Sequence, residues 1–278
     1  MTIQEAVQRR ISQRTYLDKP LEDQARKELD DYLATQTAGP FGRQVRLTRM
    51  DLTAMDAAEL RKYGVYGVIR GAREFIAGAV QQGPGAMEDF GYCMQGAILK
   101  ATQLGLGTVW LGGSFSRGTF SEKLGLRADE VLPCVTPVGY SAPKPSAIDS
   151  IMRFAIQARK RKPFGELFFD GAAGVPLGEQ AAGVYLPALQ AVRLGPSASN
   201  KQPWRVIRTG DAFHFCLLED KVYNNALPGI HIQNLDIGIA MCDFELAAGE
   251  LGLTGTWGFQ QPDVHLDKLQ HIATYKAQ

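Results

Sequence analysis

Two stretches, DFGYCMQGAILKATQLGLGTVWLGG at residues 89–113 and DIGIAMCDFELAAGELGLTGTWGFQ at residues 236–260, follow one pattern. Each begins with Asp, runs through small and apolar residues to Leu-Gly-Leu, and reaches a Trp shortly afterwards. The second lies 147 positions after the first, as 236 minus 89 shows. The shift aligns Asp89 with Asp236, Gly91 with Gly238, Met94 with Met241, Leu99 with Leu246, Ala101 with Ala248, Leu104–Gly105–Leu106 with Leu251–Gly252–Leu253, and Trp110 with Trp257. This internal match predicts two copies of one folding unit.

Each stretch predicts a helix that stops at the Gly of Leu-Gly-Leu and is followed by a strand that carries the Trp. A helix with Gly, Ala and Met on several faces is expected to be buried on several sides. A repeat of this length is too long for a solenoid. We therefore expect the two copies to pack as a pseudo-twofold pair, like a homodimer joined in one chain.

Outside the repeat, helical and strand-like segments alternate without regular βαβ units, which favours a mixed α/β or α+β class. VLPCVTPVGY at residues 131–140 is typical of a strand. We place the boundary between the copies near Arg161, ahead of the strand-like ELFF at residues 166–169. The expected units are therefore residues 1–162 and a shorter second copy, residues 163–278.

The composition is that of an ordinary globular protein, with 278 residues, 45% hydrophobic and 21% charged. A formal net charge of +1 gives no electrostatic case for nucleic acid or a membrane surface as partner. No CxxC pair occurs among the four cysteines, and the four histidines lack metal-ligand spacing, so no metal site is expected. Without a signal-like or membrane-spanning segment, the expected location is the cytoplasm.

The loop GPSASNKQPWRVI at residues 195–207 concentrates small hydrogen-bonding side chains directly before a Pro-Trp pair. Taken alone, it fits an ordinary helix-to-strand connection equally well. The first copy has a related segment, ATQTAGPFGRQVRLTRM at residues 34–50, in which the serines and the asparagine are replaced. If the loop carries chemistry, only the loop of the second copy has the residues for it.

Three further patches need an explanation. RRISQR at residues 9–14 and RKRKP at residues 159–163 could hold a phosphate, although each alone is more typical of a solvated basic surface. TVWLGG at residues 108–113 could bring backbone N–H groups close to a ligand, or could be a simple turn. The sequence has no dinucleotide or P-loop fingerprint, no GxSxG and no Cys-His pairing pattern, so hydrolytic chemistry has no local support.

Together, EAVQRRISQRTYLDKP, the GPSASNKQPWRVI loop, LGLGTVWLGG and RKRKP resemble the FMN-dependent nitroreductase family. The arrangement is similar to fused, single-chain nitroreductase-like proteins with two shortened copies. The resemblance implies a mixed, mainly antiparallel sheet flanked by helices in each copy. It also implies an intramolecular pseudodimer, with FMN bound between the copies. Within the resemblance, the loop and the repeat helix are its specific signals, and the basic clusters are weak ones.

The resemblance assigns FMN-binding roles to fifteen residues: Arg9, Arg10, Ser12, Arg14, Trp110, Leu111, Gly112, Gly113, Arg159, Arg161, Pro196, Ser197, Ala198, Ser199 and Asn200. Arg10, Arg159 and Arg161 are expected to neutralise the phosphate. Arg14 is expected to stabilise negative charge on the reduced flavin, and a backbone N–H of Gly112 or Gly113 to reach its N5 atom. No residue is expected to act as a catalytic acid or base.

One FMN per chain is expected, because the first copy's loop has Phe41 where the second has Ser197. The resulting hypothesis is an FMN-dependent oxidoreductase that uses NAD(P)H to reduce a nitroaromatic, quinone or similar acceptor by ping-pong hydride transfer. A flavin carrier or sensor with little turnover is the alternative, and a shell that binds no flavin is a third reading. The chain is expected to be a monomer whose other partner is a small-molecule acceptor.

Overall fold

The computed structural model describes residues 1–65, 68–143, 157 and 160–278. In the first half the elements are α1 (Ile3–Arg9), α2 (Asp23–Thr35), β1 (Val45–Asp51), α3 (Ala57–Arg61), β2 (Glu74–Gln81), α4 (Ala86–Gln103), β3 (Gly107–Thr108), α5 (Arg117–Leu124), β4 (Glu130–Val131) and β5 (Val135–Gly139). In the second they are α6 (Phe164–Leu167), β6 (Phe168–Asp170), α7 (Glu179–Ala182), a 3-10 turn (Gly183–Tyr185), α8 (Leu186–Leu194), a second 3-10 turn (Ala198–Asn200), β7 (Trp204–Thr209), β8 (Ala212–Leu217), α9 (Lys221–Asn224), α10 (Ile232–Glu250), β9 (Gly255–Gly258) and β10 (Gln270–Ala277).

The strands form two sheets of five, and four strands have the same order in both. The first runs β1-β2-β5-β3, with β4 also paired to β2, and the second runs β6-β7-β8-β10-β9. Neighbouring strands are antiparallel except β6 and β7, which are parallel. The strands β1, β2, β5 and β3 correspond in order to β7, β8, β10 and β9, and a long helix follows the first strand pair in each half. The fifth strands, β4 and β6, occupy different positions. The predicted mixed helix-and-sheet class with mainly antiparallel sheets is confirmed.

The first sheet is covered on both faces, which explains the apolar run EFIAGAV in β2. Phe75 and Ile76 are fully buried and, as strand neighbours, point to opposite faces. Phe75 packs in the cluster that contains Phe120, and Ile76 packs in the cluster that contains Phe90 of α4. Trp204, which follows the loop at residues 195–203, is 0% exposed and packs in the core of the second half.

The repeat helices α4 and α10 pack against each other between the sheets. Asn234 Nδ2 donates to Glu88 Oε1 at 2.6 Å near their starts, and Gln95 Nε2 donates to Asp243 Oδ1 at 2.8 Å further along. The two helices therefore run in the same direction. Both end as predicted, directly before a Leu-Gly-Leu glycine in the left-handed region, with φ 77° at Gly105 and 74° at Gly252.

A pair of glycines makes this helix contact possible. A Cβ added to Gly91 would overlap the backbone carbonyl of Leu235, and one added to Gly238 would overlap the carbonyl of Glu88. These are the two glycines that the 147-residue shift aligns. The same small residue is thus used twice, once in each half, where a helix backbone lies against its counterpart.

Three strand predictions need correction. Residues 131–140 are not one strand, because β4 ends at Val131 and β5 begins at Val135. The ELFF segment is half helix and half strand. β9 carries Trp257 as predicted, but β3 ends at Thr108 before Trp110. Leu111 then forms an isolated bridge to Val135, so the backbone leaves the sheet before Gly112.

None of the described helices combines the length and the apolar character that crossing a bilayer requires.

A candidate ligand site between the two halves

A cavity of about 360 Å³ has walls from both halves of the chain. The first half contributes Ser12, Arg14, Val109, Trp110, Gly112, Gly113 and Cys134. The second contributes Pro196, Ser197, Ala198, Ser199, Tyr223, Ala226, Leu227, Ile232, Leu235, Asp236 and Ile239. The walls combine two glycines, several small polar groups and apolar side chains, which is the usual composition of a small-molecule site.

The structure brings nine of the fifteen predicted residues to this cavity. They are Ser12, Arg14, Trp110, Gly112, Gly113, Pro196, Ser197, Ala198 and Ser199. Three segments far apart in the sequence therefore meet at one place. Within the described part of the chain, no heavy atom other than those of the sequence neighbours lies within 4 Å of a Cβ built at Gly112 or Gly113. The backbone on this wall is consequently open to a ligand.

The other predicted residues lie elsewhere. Leu111 is 3% exposed and packs in the core of the first half. Arg9 and Arg10 line a separate hollow of about 240 Å³ together with Ile11 and Gln13. Because residues 11–14 alternate in direction, Ile11 and Gln13 face this hollow while Ser12 and Arg14 face the cavity.

Arg161 and Asn200 lie behind the loop rather than on the cavity wall. Arg161 donates to Leu194 O at 3.0 Å and to Asn200 Oδ1 at 3.3 Å. Asn200 Nδ2 donates to the carbonyls of Gln157 and Lys160, both at 2.9 Å. These bonds join the basic segment to the loop. Arg159 lies outside the described residues.

The loop at residues 195–202 has an unusual backbone. Ser199, Asn200 and Gln202 have φ of 48°, 55° and 49°, although none of them is glycine. Each such residue costs about 1–3 kcal/mol unless surrounding contacts hold it, and such strain clusters at functional sites. Here Gln202 N donates to Ser197 Oγ at 2.8 Å, and the buried Trp204 fixes the chain directly beyond.

Asp236 is the loop's anchor on α10, and the sequence analysis did not identify it. Its Oδ1 accepts from Ala198 N at 2.9 Å, and the residue is 2% exposed. The aligned Asp89 does the same work in the first half, where its carboxylate accepts from Phe41 N and Arg43 N, both at 2.7 Å. The aligned aspartates were a signal that could have identified this pair. Burial raises the pKa of Asp236 well above its ordinary value, against the opposing effect of the hydrogen bond from Ala198 N.

We expect Asp236→Ala to weaken binding of the cavity ligand about tenfold, since a lost hydrogen bond to a strained loop is worth about 1–1.5 kcal/mol. Asp236→Asn should bind within about twofold of wild type, because the amide oxygen of Asn can accept from Ala198 N in place of the carboxyl oxygen. Fluorescence titration with FMN measures both. Equal losses in the two variants would contradict the anchoring role.

A buried charged group lies behind the loop. Asp243 is fully buried, accepts from Gln95 Nε2, and lies near Arg10. Burial raises the pKa of Asp243 to about 7, against opposing contributions from Gln95 and Arg10. Burial also lowers the pKa of Arg10 to about 10, with Asp243 acting to raise it and Arg161 to lower it. Burial therefore outweighs the attraction of the pair.

This predicts a pH-dependent effect of Asp243→Asn. A carboxyl whose pKa rises from 3.8 to about 7 on folding stabilises the folded state below pH 3.8 and loses that contribution as pH rises to 7. The amide that replaces the Asp243 carboxyl does not ionise, so the variant keeps a constant stability where the wild type loses this contribution. We therefore expect its free energy of unfolding to gain on wild type between pH 4 and pH 8, by about 4 kcal/mol at most. Urea unfolding at both pH values tests this, and a constant difference would contradict it.

The cavity also has a thiol and an arginine. Burial raises the pKa of the Cys134 thiol, which therefore stays protonated and is a poor nucleophile. Arg14 is 6% exposed, and a buried guanidinium favours negative charge beside it. Among the residues that the model describes, no group of His, Cys, Asp and Glu is arranged to hold a metal ion.

Sequence reasoning missed the wall formed by residues 218–231, which connect β8 to α10. Tyr223, Ala226 and Leu227 of this segment line the cavity. The corresponding connection in the first half, from β2 to α4, is only residues 82–85. The segment has no counterpart in the repeat, so the alignment could not indicate it.

Two aromatic side chains meet at the equivalent place in the other half. The 147-residue shift places Phe259 over Gly112, and the loop comparison places Phe41 over Ser197. The rings of Phe41 and Phe259 lie 4.1 Å apart between centroids, tilted by 31°. Two aromatic rings thus occupy the position where the cavity has a glycine and a serine.

The family model described as "Putative TM nitroreductase" matches residues 2–248. A "putative nitroreductase" from Thermotoga maritima is similar with a TM-score of 0.63 and 16% identity, covering 99% of this chain and 94% of that one. A nitroreductase family protein from Clostridium difficile has a TM-score of 0.45 and 20% identity, covering 60% and 96%. A "putative nitroreductase in complex with fmn" from Desulfovibrio desulfuricans has 0.44 and 22%, covering 59% and 93%. No curated protein matches the sequence. Since the family model spans nearly the whole chain, this protein belongs to the nitroreductase family.

Proposed function

We propose that this chain is an FMN-dependent oxidoreductase that takes hydride from NAD(P)H and delivers it to a nitroaromatic, quinone or similar acceptor. The observation that carries the proposal is the meeting of nine predicted FMN contacts, from three distant segments, around one cavity. Membership of the nitroreductase family supports the same reaction class.

The cavity suits a flat cofactor with a polar chain. Its volume of about 360 Å³ falls within the range of about 300–1,000 Å³ found for small-molecule sites. The open backbone at Gly112 and Gly113 leaves room for a ring to lie against the chain. The hydroxyls of Ser12, Ser197 and Ser199 on the walls supply hydrogen-bonding groups for a ribityl chain and ring edge.

The proposed roles follow from where the charges lie. Arg14, buried in the cavity wall, favours the negative charge that a reduced flavin carries. Arg161 lies close enough to Arg10 to disfavour its charge, so a phosphate beside the two arginines would relieve that repulsion. Bound FMN supplies the hydride acceptor and donor. The protein orients the ring and holds the loop at residues 195–202 through Asp236.

We also propose one FMN per chain and a monomeric pseudodimer with units at residues 1–162 and 163–278. The order of four strands, shared by both sheets, and the glycine pair Gly91 and Gly238 support two copies of one unit. The Phe41–Phe259 ring pair supports a single cofactor site.

The test is reconstitution with FMN followed by NADH and NADPH oxidation with p-benzoquinone as acceptor. Quinone-dependent oxidation of either nucleotide, lost without FMN, is the expected result. FMN binding without turnover with either nucleotide would instead favour a flavin carrier or sensor. Absence of FMN binding would overturn the proposal.

A further inference from the structure

We propose that Tyr223 determines which electron acceptors the cavity admits. Its side chain would form the cavity wall on the side where the acceptor binds, and would exclude bulky ring systems. The inference rests on the proposed function. It concerns the segment at residues 218–231, which lacks an equivalent in the first half and contributes Tyr223, Ala226 and Leu227 to the cavity wall.

The base of this segment is firmly held. Asn224 is 2% exposed, and its Oδ1 accepts from Gln233 N at 2.7 Å. Gln233 Oε1 in turn accepts from Asp220 N at 2.8 Å, and Asp220 caps α9 by accepting from Tyr223 N. Buried, satisfied polar groups of this kind fix a backbone in one arrangement.

The ring of Tyr223 is held by weaker, exposed contacts. Its hydroxyl donates to Ser199 Oγ at 2.8 Å, and Lys201 Nζ lies 5.1 Å from the ring centroid. Lys201 also lies 3.4 Å from Asp220 Oδ2. Exposed contacts of these kinds are worth about 1 kcal/mol or less. The neighbouring Val222 is 88% exposed, so this part of the segment is open to solvent. The ring can therefore turn on a fixed base.

The volume of the cavity limits which acceptors can bind beside FMN. A cavity of about 360 Å³ is near the lower limit for ligand sites, so FMN leaves little room for an acceptor while Tyr223 stays on Ser199. A one-ring acceptor needs little additional width, whereas a three-ring acceptor requires the tyrosine to leave the wall. Ser199, which ties Tyr223, belongs to the strained loop that is proposed to contact FMN.

The experiment uses the FMN-loaded chain, reduced with dithionite in the absence of oxygen and mixed with p-benzoquinone or phenanthrenequinone. The return of flavin absorbance gives a rate constant for each quinone and needs no nicotinamide. We expect Tyr223→Ala to raise the rate constant for the three-ring quinone about tenfold while changing that for the one-ring quinone less than about twofold. Tyr223→Phe keeps the ring but lacks the hydroxyl that donates to Ser199 Oγ. It should raise the rate constant for the three-ring quinone about threefold.

Val222→Ala is the matched control, on the same helix and outside the cavity wall, and should change neither rate. The FMN dissociation constant of Tyr223→Ala should stay within about twofold of wild type. Equal changes for both quinones would overturn the inference, and so would a loss of FMN affinity in Tyr223→Ala, which would make the residue a cofactor contact. Absence of FMN binding in wild type would overturn the inference together with the proposed function.

Discussion

Gly238→Ala is expected to lower the free energy of unfolding by about 3 kcal/mol, the upper end of the usual cost of forcing one extra methyl group into a packed interior. The added Cβ would meet the carbonyl group of Glu88 and the backbone of Tyr92, which cannot rotate away as a side chain can. The helices α4 and α10 must separate, and both sheets pack against them. Urea unfolding followed by circular dichroism measures the change.

Gly249→Ala is the matched control, since it makes the same substitution in the same helix. No heavy atom in the described part of the chain lies within 4 Å of the added Cβ beyond the helix itself and its neighbours. Alanine is favoured over glycine in a helix by up to about 1 kcal/mol, so this variant should be slightly more stable than wild type. A Gly238→Ala variant as stable as Gly249→Ala would show that the helix contact is not as close as described.

Gly112→Phe is expected to weaken FMN binding by about 100-fold or more, equivalent to about 2.7 kcal/mol. The substitution copies the ring that Phe259 places at the equivalent position of the other half. The space beside Gly112 is open, so the new side chain enters the cavity rather than the core. Folding should be retained for the same reason, and fluorescence titration gives the affinity.

Gly118→Phe makes the same change at a glycine of α5 that is also open and lies outside the cavity wall. It should bind FMN as wild type does. If Gly112→Phe binds FMN with unchanged affinity while remaining folded, the cavity is not the FMN site.

Much of the architecture could be predicted because the same pattern of residues occurs in both copies of the repeat. The aligned glycines, aligned aspartates and paired Leu-Gly-Leu stops each have the same physical task in both halves. The alignment also places Phe259 at the position equivalent to Gly112, so the difference between the two halves could be read from the sequence. The contact between the rings of Phe259 and Phe41 is visible only in the folded chain.

The remaining features depend on tertiary structure that local patterns do not encode. The left-handed backbone at Ser199 and Gln202 contradicts the ordinary preference of these residues and is imposed by the contacts around the loop. Arg9 and Arg10 belong to the same short motif as Ser12 and Arg14, yet an extended segment turns them toward a different hollow. Tyr223 lies in a segment without a repeat counterpart, and its place on the wall is visible only in the structure.

The most direct test of a single composite site is the number of FMN molecules that one chain binds. The flavin-free chain, titrated with FMN at protein concentrations well above the dissociation constant, should saturate at one FMN per chain, and Gly112→Phe should bind markedly less FMN under the same conditions. Saturation at two per chain would show that the Phe41–Phe259 pair does not close the second place. Absence of saturation would contradict the account of the cavity altogether.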